Sequence, residues 1–96
     1  MKKALILNPK DNVAVALKNI KKGEEVSIQL GNKHIVIKAQ DDIPFGHKIA
    51  IKRIAKGKYV IKYGEIIGIA VRDIEIGCHV HIHNVKSLRG RPSEGD

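Results

Sequence analysis

Tryptophan is absent from this 96-residue chain, phenylalanine occurs once and tyrosine twice. A domain that grips unpaired bases needs aromatic faces for stacking, so this scarcity argues against a single-strand nucleic-acid binder. The single cysteine, Cys78, excludes an internal disulfide. No apolar run approaches the roughly 20 residues of a membrane span. Met1-Lys2-Lys3 leads only into Ala4-Leu5-Ile6-Leu7, which is too short for the apolar region of a signal peptide. The expectation is a cytoplasmic protein without membrane contact, in which Cys78 is a buried spectator. Acidic residues are outnumbered 10 to 18 by lysine and arginine, leaving a net charge of +8. Such a surplus suits nucleic acid, an anionic substrate or an acidic partner chain. The bases are scattered rather than gathered on one element, which weakens the first of these.

No segment keeps a helical hydrophobic period either; the abundant residues are 16 isoleucines and 8 valines. Branched aliphatics in short alternating runs are the mark of strands. Residues 3–7 read as a first strand, closed by the turn cluster Asn8-Pro9-Lys10-Asp11-Asn12. Residues 13–17, 26–30 and 34–38 alternate in turn, and Gly31-Asn32 between the last two predicts a hairpin. Residues 40–47 read as a loop, and residues 49–54, 59–62, 66–71 and 78–85 complete the set of strands.

An internal repeat runs through these strands. Windows 15–26 (VALKNIKKGEEV), 49–60 (IAIKRIAKGKYV) and 69–80 (IAVRDIEIGCHV) align without gaps. Each holds an alanine (Ala16, Ala50, Ala70), a base (Lys18, Lys52, Arg72) and an isoleucine (Ile20, Ile54, Ile74). Each then continues with a glycine (Gly23, Gly57, Gly77) and a valine (Val26, Val60, Val80). The pattern predicts strand, bend on a buried isoleucine, glycine turn and second strand. The implied fold is a small, compact all-β domain of bent strands.

The third window runs into Cys78-His79-Val80-His81-Ile82-His83-Asn84, which carries three of the five histidines. Alternation along a strand would put His79, His81 and His83 on one face and Cys78, Val80 and Ile82 on the other. Imidazole is a common metal ligand and exchanges protons near neutral pH. Alternate residues lie about 6.6 Å apart along a strand and the outer pair about 13 Å. Two neighbouring rings can therefore share an ion, whereas all three require a bend. The plain alternative is a solvated polar face. His47 follows a Pro44-Phe45-Gly46 turn from which it can approach the strand histidines, while His34 reads as a surface residue of an ordinary strand. Asp41-Asp42 offers carboxylate ligands as one alternative, against the plainer reading of a solvated acidic pair in a loop, and Asn84 reads as a residue that faces the core or caps the strand end.

The pieces Asp11-Asn12-Val13-Ala14, Ile43-Pro44-Phe45-Gly46-His47-Lys48, Lys62-Tyr63-Gly64-Glu65-Ile66-Ile67-Gly68 and His79-Val80-His81-Ile82-His83-Asn84 together resemble one family. It is the SAF-type β-clip domain of altronate and galactarate dehydratases, which also occurs as a free small subunit and in the small subunit of sulfolactate sulfo-lyase. Cys78 stands where that family more often has a charged residue, and Ile82 where a small hydroxyl residue is usual. The resemblance implies a SAF-like β-clip over residues 1–86, followed by a polar tail over 87–96. It implies the small subunit of a heteromeric sugar-acid dehydratase, a hydro-lyase that needs a larger subunit and is inactive alone. It further implies a divalent metal such as iron or manganese. Within it, His47, His81 and His83 are the expected acid/base residues. The expected metal ligands are His79, His81 and His83, with Lys48 and Lys62 binding the carboxylate of the sugar acid. The alternatives are a sulfolactate sulfo-lyase small subunit and a non-catalytic binding module. Arg89-Gly90-Arg91-Pro92 matches the core of an AT-hook, but Ser93-Glu94-Gly95-Asp96 follows it and its acids would repel phosphate, so nucleic acid is not the expected partner.

Overall fold

The computed structural model describes residues 2–88. Nine short strands form two sheets: β1 (Ala4–Leu5), β2 (Val13–Ala16), β3 (Glu25–Leu30), β4 (Lys33–Lys38), β5 (Lys48–Ala50), β6 (Tyr59–Lys62), β7 (Glu65–Ala70), β8 (His79–Val80) and β9 (Val85–Ser87). Six of them pair in the order β4-β3-β1-β2-β5-β8, and three in the order β6-β7-β9. All pairings are antiparallel except β1 with β3. The all-β expectation holds, and no helix among the described residues is long and apolar enough to cross a membrane. The Gly31-Asn32 hairpin is present, with Leu30 facing Lys33 and Gly31 at φ +57°.

The internal repeat is the organising device of the fold. Ala16, Ala50, Ala70, Ile20, Ile54, Ile74, Val26, Val60 and Val80 are all buried. A fourth copy, Ala39-Ile43-Gly46-Ile49, has the same spacing and the same burial. The four copies form two reciprocal pairs. Ile20 and Ile43 exchange both backbone hydrogen bonds, as do Ile54 and Ile74. In each pair the glycine N–H of one copy donates to the alanine carbonyl of the other: Gly23 to Ala39, Gly46 to Ala16, Gly57 to Ala70 and Gly77 to Ala50. Each glycine occupies the third position of a turn closed by a backbone bond, for example from His47 N–H to Pro44 O. Their φ values of +82 to +91° are those of a type II turn, which only glycine adopts without strain.

Side chains just before the isoleucines finish the clips. Asn19 Oδ1 accepts from Phe45 N–H and Asp42 Oδ1 from Lys22 N–H, closing the first pair reciprocally. In the second pair Asp73 accepts from Lys56 N–H, while Arg53 instead forms ion pairs with Asp73 and Glu75. The first pair packs with Ile6, Ile28 and Ile49 in one core cluster. The second packs with Val13, Val60 and Val80 in another. Asp11 and Asn12 tie the two regions together. Asp11 Oδ1 accepts from Gly64 N–H, and the Asn12 side chain bonds both Tyr59 O and Ile61 N–H.

One expected strand is corrected. Residues 78–85 do not run as a single strand: β8 ends at Val80, the chain turns through 81–84, and β9 starts at Val85 in the other sheet. The reason is Asn84. Its backbone N–H and that of Val85 both donate to His81 O, and its side chain bonds back to His79 and His81. The strand expected over 49–54 likewise ends at Ala50, just after the copy that begins at Ala39 hands over to the 49–60 window. The Arg89-Gly90-Arg91-Pro92 motif lies outside the described residues.

Candidate metal centre

Strand pairing assembles the histidines. β5 and β8 run antiparallel with Lys48 opposite Val80 and Ile49 opposite His79. Carried on by one residue, this register sets His47 opposite His81. The His47 and His81 rings stack with centroids 4.4 Å apart, and His47 and His79 with centroids 5.1 Å apart. His79 and His81 lie 5.2 Å apart and nearly parallel. One potential ligand nitrogen from each of His47, His79 and His81 falls within 4.8 Å of the other two. His83 joins only at the edge, tilted against His79 at 5.4 Å. The three-ligand set therefore includes His47 from the Pro-Phe-Gly turn, and His83 stands beside it rather than in it. Extended-strand spacing favoured 79, 81 and 83; the turn after Val80 removes His83 from that line.

His47 Nδ1 and His79 Nε2 are 2.9 Å apart. Two imidazole nitrogens this close share either a proton or a cation. Tetrahedral ligands about 2.0–2.1 Å from a zinc ion stand roughly 3.3 Å from one another, near the separation of this pair. Burial lowers the His79 pKa, and the neighbouring His47, His81 and His83 lower it further. His81 is lowered as well, by desolvation first and then by His47, Lys48 and His83. Both shifts favour the neutral ring, the form that ligates. Three imidazoles with no carboxylate among them suit iron, zinc, nickel or copper better than magnesium or calcium. The set can hold one divalent transition-metal ion.

The backbone around the set is held by two polar side chains. Asp41 Oδ2 accepts from His79 N–H at 2.9 Å. Asn84 accepts from His81 N–H at 2.9 Å and donates to His79 O at 2.8 Å. The acidic pair 41–42 is thus not simply solvated, since each carboxylate receives a backbone N–H. Asp41 takes the repeat position at which the other copies carry Lys18, Lys52 or Arg72. That departure hid the fourth copy, and it was the available signal that Asp41 has a local task.

Beside His81 opens a cavity of about 210 Å³ lined by Lys48, Ile67, His81, Ile82, Val85 and Ser87. Half-buried Lys48 brings an ammonium group to it, with a pKa lowered by desolvation and then by Lys62. Lys62 is near enough to act on Lys48 electrostatically, and its Nζ lies 5.4 Å from the centre of the exposed Tyr63 ring. Ile82, at 84% exposure, projects from the turn between His81 and His83. Cys78 is half-buried against the second core cluster, and burial pushes its thiol pKa up. His34 is exposed on β4, opposite Gln29 and away from the set.

Comparison with known proteins finds several relatives. The family profile described as altronate/galactarate dehydratase SAF domain matches residues 2–88. The altronate dehydratase of Bacillus subtilis (strain 168) is 42% identical over 87 residues, which are 91% of this chain and 17% of that protein. The altronate dehydratase of Escherichia coli (strain K12) is 48% identical over 77 residues, 80% of this chain and 15% of that one. The (2R)-sulfolactate sulfo-lyase subunit alpha of Paracoccus pantotrophus is 50% identical over 58 residues, covering 60% of this chain and 87% of the subunit. The chain thus spans less than one fifth of the two dehydratases but most of the sulfo-lyase subunit.

Proposed function

The chain belongs to the altronate/galactarate dehydratase SAF domain family, and on that premise we propose that it is the small subunit of a heteromeric sugar-acid dehydratase. A larger subunit completes the site, and the reaction removes water from a sugar acid such as altronate. The observation that carries this reading is the convergence of His47, His79 and His81 within ligand distance beside a lysine-bearing cavity.

The chemistry sets three demands. A proton leaves the carbon next to the carboxylate, the β-hydroxyl leaves as water, and the resulting enol tautomerises to the 2-keto-3-deoxy acid. The step needs a base, an acid for the departing hydroxyl, and positive charge to offset the enolate-like intermediate. His47, His79 and His81 would hold the divalent ion, and of the iron or manganese implied by the family resemblance the all-imidazole set fits iron; when bound it would supply Lewis-acid stabilisation of oxyanion charge. Lys48, backed by Lys62, receives the substrate carboxylate at the cavity. His83, exposed beside His79, exchanges a proton with the leaving hydroxyl in this reading, and the larger subunit supplies the other wall.

A second reading has its own support. Coverage of 87% of a sulfo-lyase subunit alpha favours a β-elimination in which sulfite leaves in place of water. The same histidines and lysines serve both reactions, because both begin at the carbon beside a carboxylate.

The test is to assemble the chain with its larger subunit and to assay altronate, galactarate and sulfolactate for keto-acid formation. Altronate or galactarate turnover is expected, and it should be lost together with the ion in His81→Asn. Turnover unaffected by His81→Asn and by His47→Asn would sink the proposal.

A further inference from the structure

We propose that Asn84 is the positioning residue of the histidine set: its side-chain amide takes the place of a neighbouring strand and fixes the angle between His79 and His81. The inference rests on the reading that the set holds a divalent ion, and it assigns to one amide the task of shaping the site before the ion arrives.

The observations concern four backbone groups. His79 N–H donates to Asp41 Oδ2, and His79 O accepts from Asn84 Nδ2. His81 N–H donates to Asn84 Oδ1, and His81 O accepts from the backbone N–H groups of Asn84 and Val85. The peptide groups of both histidines are therefore held on both sides. The amide bonds His79 O and His81 N–H, which flank Val80. In a parallel ladder a residue on one strand bonds the carbonyl before and the N–H after its partner. Asn84 reproduces that pattern with a side chain, on the edge of β8 opposite the one that pairs with β5.

The consequence is geometric. β8 has only two residues, and a strand so short has little ladder of its own to hold it. With the amide in place Val80 stays extended and fully buried while the chain reverses directly after His81. That leaves the His79 and His81 rings nearly parallel, 12° apart, both facing His47. Asn84 is itself buried, at 5% exposure, and its own carbonyl accepts from Val71 N–H. The turn is thus anchored to the end of β7 rather than left to solvent. An amide meets the demand with two separate atoms, Oδ1 accepting from His81 N–H and Nδ2 donating to His79 O. Aspartate keeps the acceptor for His81 but sets an oxygen against His79 O; alanine provides neither bond.

The experiment uses the full chain with Asn84→Ala, Asn84→Asp and a remote destabilised control, Ile28→Val, in the other core cluster. Zn²⁺ affinity is measured by calorimetric titration at pH 8, unfolding midpoints by urea, and the ring-to-ring proximities of His47, His79 and His81 by NMR without metal. Both Asn84 variants are expected to lose about 10- to 100-fold in affinity, the usual effect of removing a group that orients ligands. The His79–His81 ring proximity should disappear, while the control loses stability and keeps both readouts. Should Asn84→Ala fail to fold, the near-isosteric Asn84→Asp carries the test. A folded Asn84 variant with native affinity and native ring proximities overturns the inference. If the native chain binds no Zn²⁺, the metal reading falls. The NMR comparison then decides the positioning role alone, with retained proximities overturning it and lost ones supporting it.

Discussion

Replacing Gly57 and Gly77 separately with alanine tests the repeat and its link to the histidines. The two glycines are equivalent in the second clip pair. Their φ values are +88° and +91°, and each N–H donates at 2.8 Å to the paired alanine carbonyl. An L-residue in this region costs about 1–2 kcal/mol. Alanine also narrows the unfolded ensemble, which offsets roughly 0.4–1 kcal/mol. Gly57→Ala should therefore cost about 1 kcal/mol, because a Cβ there meets nothing within 4 Å. Gly77 is different. Its Cβ would fall 2.2 Å from the Lys38 carbonyl oxygen and 3.2 Å from Gln40 Cγ. The obstacle is backbone, and Gln40 N–H donates to Gly77 O at 2.8 Å, so neither segment can move without breaking the other's bond. Overpacking of this kind adds roughly 1–3 kcal/mol. At about 4–8 °C per kcal/mol for a domain of this size, Gly77→Ala should melt at least about 4 °C below Gly57→Ala. Circular dichroism during heating, with urea midpoints as a check, reads the difference. Equal losses would refute the close approach between Gly77 and residues 38–40.

Three further outcomes follow from the site. His79 and His81 have pKa values below the ordinary 6.5 in the folded chain, so as pH falls the unfolded chain takes up protons first. Stability without metal should be level above about pH 7.5 and fall as pH drops through and below 6.5; urea midpoints between pH 5 and 8 should show the slope shrinking in His79→Asn. Lys48→Met removes an ammonium whose charge is disfavoured by desolvation and by Lys62. Stability should hold or rise, while KM for the acid substrate of the assembled enzyme increases by about 10-fold, a typical loss for a charged hydrogen bond. His47→Asn should abolish both metal binding and turnover, whereas His83→Asn should keep the metal and lower kcat; parallel metal analysis and kinetics separate the two.

The fold was legible in the sequence to the extent that it repeats. Alternation located most of the strands, and the glycine at each clip forecast the positive φ that a type II turn requires. The fourth copy escaped because Asp41 stands where its counterparts carry a base, and because Ile49 replaces the expected valine. The site was legible as histidines and not as geometry. Regular spacing along residues 78–85 suggested one straight strand with one imidazole face. A side-chain amide three residues after His81 overrides that spacing, and no periodicity records a hydrogen bond from Asn84 to His79. His47 was recognisable from its turn. Its place opposite His81 follows from β5–β8 register, a long-range pairing that local pattern does not encode.

If His47, His79 and His81 form one cation site, titration of the purified chain with Co²⁺, followed by visible absorption, should reveal it. One equivalent should bind and produce the ligand-field bands of a nitrogen-rich site, with His47→Asn and His81→Asn removing them and His34→Asn leaving them intact. No bands in the native chain, or bands that survive His47→Asn, would contradict the account.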